Sequence, residues 1–180
     1  LVQPFLRDTQ LARLIPYAIP YLVGTTGLVY RKDLVAEPVT SWESYFDPRN
    51  PALLGKLATL DSPFMLCLAL QYLGMDIRTR SMERMRRAAR LYLDLRERGY
   101  LERISSDIRS LRQALLRGEL AMAVLYSGDA LSAMQAKGGD KLAYVIPKEG
   151  GEIYCDCLTI PADAPNKELA KRLVNHILEP

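Results

Sequence analysis

The sequence predicts an α/β fold in which an open sheet carries helices on both faces. Three observations point there. Short apolar runs bounded by Gly, Pro or Asp alternate with longer segments whose apolar residues recur every three or four positions, the pattern of βαβ units. Hydrophobic residues make up 49% of the 180 residues and charged residues 25%, too much apolar material for a disordered chain. No apolar run approaches the roughly 20 residues that a membrane-crossing helix needs.

The elements follow in order. Residues 20–30 read as a buried strand in which Gly24 and Gly27 mark a bulge or the close approach of another backbone. Residues 40–46 read as a short capped helix stopped by Asp47-Pro48-Arg49-Asn50-Pro51, and residues 56–60 as a second strand. Asp61-Ser62-Pro63 places polar caps and a first-turn proline at the start of a helix that runs to about Leu73, before Gly74. Ser81 opens a strong helix with Met82, Met85, Ala89, Tyr92 and Leu95 on one stripe, ended by Gly99. A further helix spans about Asp107 to Arg117, with Ser106 as its cap and Gly118 as its stop. Residues 120–126 form an apolar strand, and Ser127-Gly128-Asp129 turns it into a helix ending at Lys137-Gly138-Gly139. Strands at 142–146 and 153–160 flank a turn at 147–151. A last helix, capped by Asn166, carries Leu169, Leu173, Val174 and Ile177 on one face.

The net charge of +3 hides a split. Residues 78–117 hold 12 of the 17 arginines, no lysine and five acids. An anionic partner such as nucleic acid is one reading of this run. A solvated helical face is the stronger reading, because no aromatic stacking residues are interleaved and acids lie within helical reach of several arginines. No nucleic-acid partner is expected. Three cysteines are too few for a disulfide scaffold, and one histidine excludes a histidine-rich metal site in this chain. Cys155 and Cys157 would share one face of a strand with Asp156 on the other, and the fuller Cys/His set that zinc prefers is missing. Free, buried cysteines are expected there, a core position is expected for Cys67, and no metal or cofactor is expected.

In open α/β sheets ligands sit beyond the carboxyl ends of strands. Leu60 leads to Asp61; Leu125 leads to Tyr126, Ser127 and Asp129; the turn before Ile153 leads to Tyr154-Cys155-Asp156. Carboxylates beside tyrosine rings suit an amine cation, since a carboxylate accepts a charge-assisted hydrogen bond and a ring face attracts ammonium. Asp61 equally suits a helix cap, and Tyr126 a core position at a strand end. Asp156 sits in an otherwise apolar strand, where an unpaired acid would be costly, and this points to a ligand contact.

At these residues the chain resembles the bacterial periplasmic spermidine/putrescine-binding proteins, the solute-binding components of polyamine ABC transporters. The resemblance starts at Ile19-Pro20-Tyr21-Leu22-Val23-Gly24-Thr25-Thr26-Gly27 and continues through Thr40-Ser41-Trp42, Gly55-Lys56-Leu57 and Gly118-Glu119-Leu120 to Tyr126-Ser127-Gly128-Asp129-Ala130. It is most specific at Pro147-Lys148-Glu149-Gly150-Gly151 followed by Tyr154-Cys155-Asp156-Cys157-Leu158-Thr159-Ile160-Pro161, and the final helix fits as well. It implies a type II periplasmic-binding-protein-like lobe: an open mixed sheet with helices on both faces. Residues 20–154 would be the second lobe, and residues 1–16 and 157–180 pieces of a first lobe whose N-terminal part is absent. The chain is then similar to about half of a binding protein.

The resemblance also implies site residues. Asp61 matches a carboxylate that binds an amine, Ser106 a polar contact, Tyr126 and Tyr154 aromatics that are usually Trp, and Asp156 the acid that holds an ammonium group. Where the family often has a Glu three residues beyond that first carboxylate, this chain has Phe64. The exchange points to a shorter diamine, a monoamine with an apolar part or an amino-acid-like ligand. Ser127 and Asp129 are secondary candidates; their turn offers backbone N–H groups to an anion, which the Asp129 charge opposes.

The function expected is an extracytoplasmic, periplasmic substrate-binding component of an ABC importer for a cationic amine, with a membrane permease as partner and no chemistry of its own. It would be membrane-associated if fused to the permease. In that reading a ligand bound between the lobes stabilises the closed form. An alternative is an effector-binding regulatory domain of the same fold, fused to a DNA-binding or membrane portion. An acid/base enzyme using Asp61 and Asp156 is disfavoured, because no nucleophile, metal set or phosphate loop accompanies them. A homodimer through surface left bare by the missing part is a further expectation.

Overall fold

A computed structural model describes residues 17–179. The expectation for residues 1–16 lies outside the described residues. The chain divides into two compact units: Thr25–Glu152, and the flanking residues up to Gly24 together with those from Ile153 onward. Among the described residues no helix is long and apolar enough to cross a membrane.

Thr25–Glu152 is built on a mixed sheet. Strand β1 is Ile19–Arg31, whose residues from Thr25 belong to this unit. The other strands are β2 (Leu57–Leu60), β3 (Leu101–Ser105), β4 (Met122–Tyr126) and β5 (Leu142–Val145). Their order is β3-β2-β4-β1-β5, and β6 (Glu152–Leu158) also pairs with β1. The β3, β2 and β4 strands run parallel, and β1 is antiparallel to both β4 and β5.

The chain makes α1 (Glu43–Phe46), then α2 (Met65–Tyr72) and α3 (Met82–Glu97) between β2 and β3, α4 (Ile108–Arg117) between β3 and β4, and α5 (Ser127–Gln135) after β4. The β2-to-β3 connection steps one way along the sheet and the β3-to-β4 connection steps back the other way. Two right-handed crossovers of opposite sense put their helices on opposite faces. Accordingly α2 packs on α3, and α4 packs on α5.

Burial explains why the central strands were legible. In β4 all of Met122, Ala123, Val124 and Leu125 are fully buried, the near-continuous apolar run expected of a strand covered on both faces. Trp42, Tyr45 and Phe46 are buried as well, and the Phe46 ring stacks on Tyr72 and meets Tyr92 edge-on. Arg31 ends β1 in the interior: its guanidinium donates to the Leu115 and Leu116 carbonyls in the last turn of α4 and to both oxygens of Asp33.

Several expectations are corrected. The sequence shows no strand at 101–105, yet β3 is there. It is an edge strand, so Glu102 and Ile104 are exposed and the apolar run that marks β4 is missing. Met82 is not on the buried stripe of α3; it is exposed, and Ala88 and Leu95 carry the burial, with Met85, Leu91 and Tyr92 partly buried. Ser106 does not cap α4. Asp107 does, accepting from the Ser110 amide at 3.1 Å. The registers of β1 with β4 and β5 run without a shift from Thr26 to Arg31, and a Cβ on Gly27 would strike the Val145 carbonyl and the Tyr144 ring.

In the other unit β1 begins at Ile19, β6 continues from Ile153, and α6 spans Lys167–Leu178. A Cβ on Gly24 would collide with the Tyr154 ring, a side-chain approach rather than the backbone approach considered from sequence. Asn166 makes no side-chain cap bond to α6. Only Val174 of the expected apolar face is buried, while Leu169, Leu173 and Ile177 are exposed.

Candidate functional site

Three of the sequence-derived residues lie side by side at one edge of the Thr25–Glu152 sheet. Ser106 follows β3, Asp61 follows β2 and Tyr126 ends β4, and these strands are parallel neighbours. Leu60 pairs with Ser105, and the Asp61 amide donates to the Ser105 carbonyl at 3.0 Å, so the two loops leave the sheet together. The β2–β4 register pairs Ala58 with Ala123; counted forward by three, it sets Asp61 level with Tyr126. The carboxyl ends thus present a hydroxyl, a carboxylate and a phenol ring in a row, with about 5 Å from one strand to the next.

Asp61 is exposed, and among the described residues its carboxylate has no hydrogen-bond or ion-pair partner. It is not a helix cap. The turn at 62–64 precedes α2, and the Ser62 hydroxyl, rather than Asp61, accepts from the Phe64 amide at 3.4 Å. Phe64 is 56% exposed, an apolar ring standing free of the core beside Asp61. Ser106 is exposed at the head of α4. Its neighbour Ser105 carries the local structure instead, accepting from the Asp107 amide at 3.0 Å.

The secondary candidates are already engaged. The Ser127 hydroxyl accepts from the Thr25 amide at 3.1 Å. The Tyr144 hydroxyl lies 2.9 Å from the Thr25 hydroxyl and donates to the Thr25 carbonyl. These bonds fix the start of β1 in this unit. Asp129 faces Arg112 at 3.5 Å, and Arg112 also donates to Ser132, so this acid ties α5 to α4.

Tyr154 and Asp156 belong to the other unit. Two residues apart on β6, they share the face opposite Cys155 and Cys157. The thiols are free and 3.9 Å apart, confirming their common face; they are half-buried rather than core, as is Cys67. Burial, the bond to Cys157 and the charge of Asp156 hold the Cys155 thiol above its ordinary range. Asp156 is exposed, so the cost of burying an acid does not apply to it. Its candidacy stands on the resemblance.

Sequence reasoning missed Glu152. This residue, the first of β6, is half-buried, and its carboxylate accepts from the Thr26 hydroxyl at 2.8 Å. Thr26 is fully buried and pairs in register with Tyr126. Glu152 therefore lies at the same sheet edge as Asp61 and Tyr126, and burial plus its charge raises the Cys67 thiol pKa on α2. No local signal could have shown this, because the contact spans 126 residues. A separate open depression of about 660 Å³ lies near the start of β4, lined by Glu37, Ser41, Asp47, Arg49, Met122 and Lys148 among others, away from the strand-end row.

The mixed sheet with antiparallel β1 between β4 and β5, and ligand-type residues at neighbouring carboxyl ends, defines a lobe of the type II periplasmic binding fold. The chain belongs to the bacterial extracellular solute-binding protein family, whose model matches residues 6–180. It is 35% identical over 177 residues to the putrescine-binding periplasmic protein SpuD of Pseudomonas aeruginosa, covering 91% of this chain and 47% of that protein. It is 33% identical over 166 residues to the spermidine/putrescine-binding periplasmic protein of Escherichia coli, covering 91% and 45%. The crystal structure of the lipoprotein TpPotD of Treponema pallidum superposes with a TM-score of 0.83 at 23% identity, covering 99% of this chain and 55% of that one. The chain spans about half the length of the curated relatives it matches.

Proposed function

We propose that this chain is part of an extracytoplasmic, periplasmic solute-binding protein that delivers a polyamine or related cationic amine to the permease of an ABC importer and performs no chemistry itself. The observation that carries this reading is Asp61: an unpartnered carboxylate level with the Tyr126 ring and next to Ser106. An ammonium group donates charge-assisted bonds to Asp61, and its alkyl carbons pack on Tyr126 and on exposed Phe64. The ligands for which SpuD and the E. coli relative are named support the amine. By the same resemblance Tyr154 and Asp156 add a second ring and acid, and residues 20–154 correspond to the second lobe with 1–16 and 157–180 as pieces of the first.

Calorimetry of the full-length protein with putrescine, spermidine and agmatine tests the reading. Binding is expected for at least one of them. Asp61→Asn should weaken it by about 10- to 100-fold, the loss of one bond to a charged group. Its melting temperature should hardly move, since the Asp61 side chain holds no other residue among those described. Failure of every cationic amine to bind, or unchanged affinity in Asp61→Asn or Asp156→Ala, would remove the proposal.

A further inference from the structure

We propose that Glu152 is a second ammonium anchor of the amine site and makes that site selective for a diamine over a monoamine. The inference rests on the amine-binding reading above. The observation is a charge left without compensation. Among the described residues the half-buried acids are Asp47, Asp94, Asp129, Glu149 and Glu152. Asp47 faces Arg98, Asp94 faces Arg90 and Asp129 faces Arg112. Glu149 has two donors, the Ser41 hydroxyl and the Trp42 amide. Glu152 alone among the five has no cation and a single neutral donor, Thr26.

The Glu152 carboxylate has one bond, from Thr26, and most of its lone-pair sites remain open to a further donor. The Thr26 hydroxyl that orients it is fully buried on a strand whose register is fixed against β4. Its position completes a pattern. Asp61 follows β2, Tyr126 ends β4, and Thr26 lies on β1, so the sheet order β2-β4-β1 reads acid, ring, acid-bearing threonine. Two strand spacings, about 10 Å, separate the outer strands. A molecule with cations at both ends and a polymethylene middle matches that order. A monoamine can satisfy only one end. The turn just before Glu152 meets α2, the helix that Asp61 and Phe64 lead into: a Cβ on Gly150 would lie 3.3 Å from the Gln71 side chain.

The test compares putrescine with n-butylamine, which keeps the four-carbon chain and loses one ammonium, by calorimetry on the full-length protein. Wild type should prefer putrescine. Glu152→Gln, which retains an acceptor for Thr26, should lose about 10- to 100-fold in putrescine affinity and stay within about twofold for butylamine. Asp61→Asn should weaken both. Glu152→Asp, which keeps the charge one methylene further back, should retain part of the preference and serves if the Gln variant does not fold. Equal losses for the two amines, or an unchanged putrescine affinity in Glu152→Gln, would overturn the inference. So would a wild type that binds both amines equally, and that outcome leaves the amine-binding reading standing. A wild type that binds neither amine nor any polyamine removes both.

Discussion

Glu149 is one of the ties that hold the Pro147–Gly151 turn, and Glu149→Gln measures its share. Glu149 accepts from the Ser41 hydroxyl and, at 3.1 Å, from the Trp42 amide. The Trp42 indole donates to the Gly150 carbonyl at 2.7 Å, and the Lys148 amide donates to the Thr40 carbonyl at 2.9 Å. The turn is thereby stitched to the head of α1, where Trp42 is fully buried. Glutamine is isosteric but has one acceptor. Its best arrangement points the oxygen at the Trp42 amide and the NH₂ at the Ser41 hydroxyl, which can accept. Both bonds survive without charge assistance. A bond to a charged group contributes about 1.5–3 kcal/mol and a neutral one about 0.5–1.5, so two such exchanges cost about 2 kcal/mol. That corresponds to a fall of about 4–8 °C in melting temperature for a domain of this size.

The pH dependence gives the sharper check. Burial pushes the Glu149 carboxyl up, but the Ser41 and Trp42 bonds outweigh it and the net shift is down. A depressed folded-state pKa adds stability above the unfolded-state value and loses it as pH falls through the folded-state value. Gln does not titrate there. Urea melts followed by Trp42 emission, from pH 7 down through the carboxylate range, should show wild type and variant about 2 kcal/mol apart at neutrality and converging in acid. A gap under about 0.5 kcal/mol at pH 7, or one that does not change with pH, would refute the assignment of the turn's stability to this charge.

Two further outcomes are expected. Arg31→Met removes two donors from buried carbonyls at the end of α4 and should cost about 2–4 kcal/mol in urea denaturation; a loss below 1 kcal/mol would show that those carbonyls find other partners. The Cys155 thiol, raised by burial and by its bond to Cys157, should react with iodoacetamide more slowly than a simple thiol at pH 8 and catch up as pH rises, read by mass spectrometry. A rate matching the simple thiol throughout that range would contradict the shift.

Periodicity and strand–helix alternation carried most of the fold. Residues 120–126 and the stretch after Ser81 were legible because β4 is covered on both faces and α3 is capped by its own serine. What stayed hidden depends on the sheet rather than on local pattern. Leu101–Ser105 pairs only with β2 at the sheet's edge, so its charged residues face solvent and mask the strand. Ser106 and Asp107 are both good caps; their neighbour Ser105 decides between them by bonding the Asp107 amide, which puts Asp107 one place further into the helix head. Asp61, Ser106 and Tyr126 were legible as candidates because strand ends are visible in sequence. Asp156 was found with an argument from burial that its exposure removes. Glu152 was not found at all, since its significance lies in Thr26 across the fold.

The proposed cation site is compatible with a net charge of +3 once distance is considered. The excess of positive charge comes from the arginines of residues 78–117, and six of those twelve form ion pairs among the described residues: Arg78, Arg90, Arg98, Arg103, Arg112 and Arg117. Much of the field is cancelled within a few ångströms. What remains is screened over about 8 Å at physiological ionic strength. An ammonium bound at the strand ends as proposed would respond mainly to nearby charges, and there Asp61 and Glu152 have no cation partner among the described residues. Neutralising one of these two carboxylates should change amine affinity far more than neutralising Arg86 or Arg87 on the exposed side of α3.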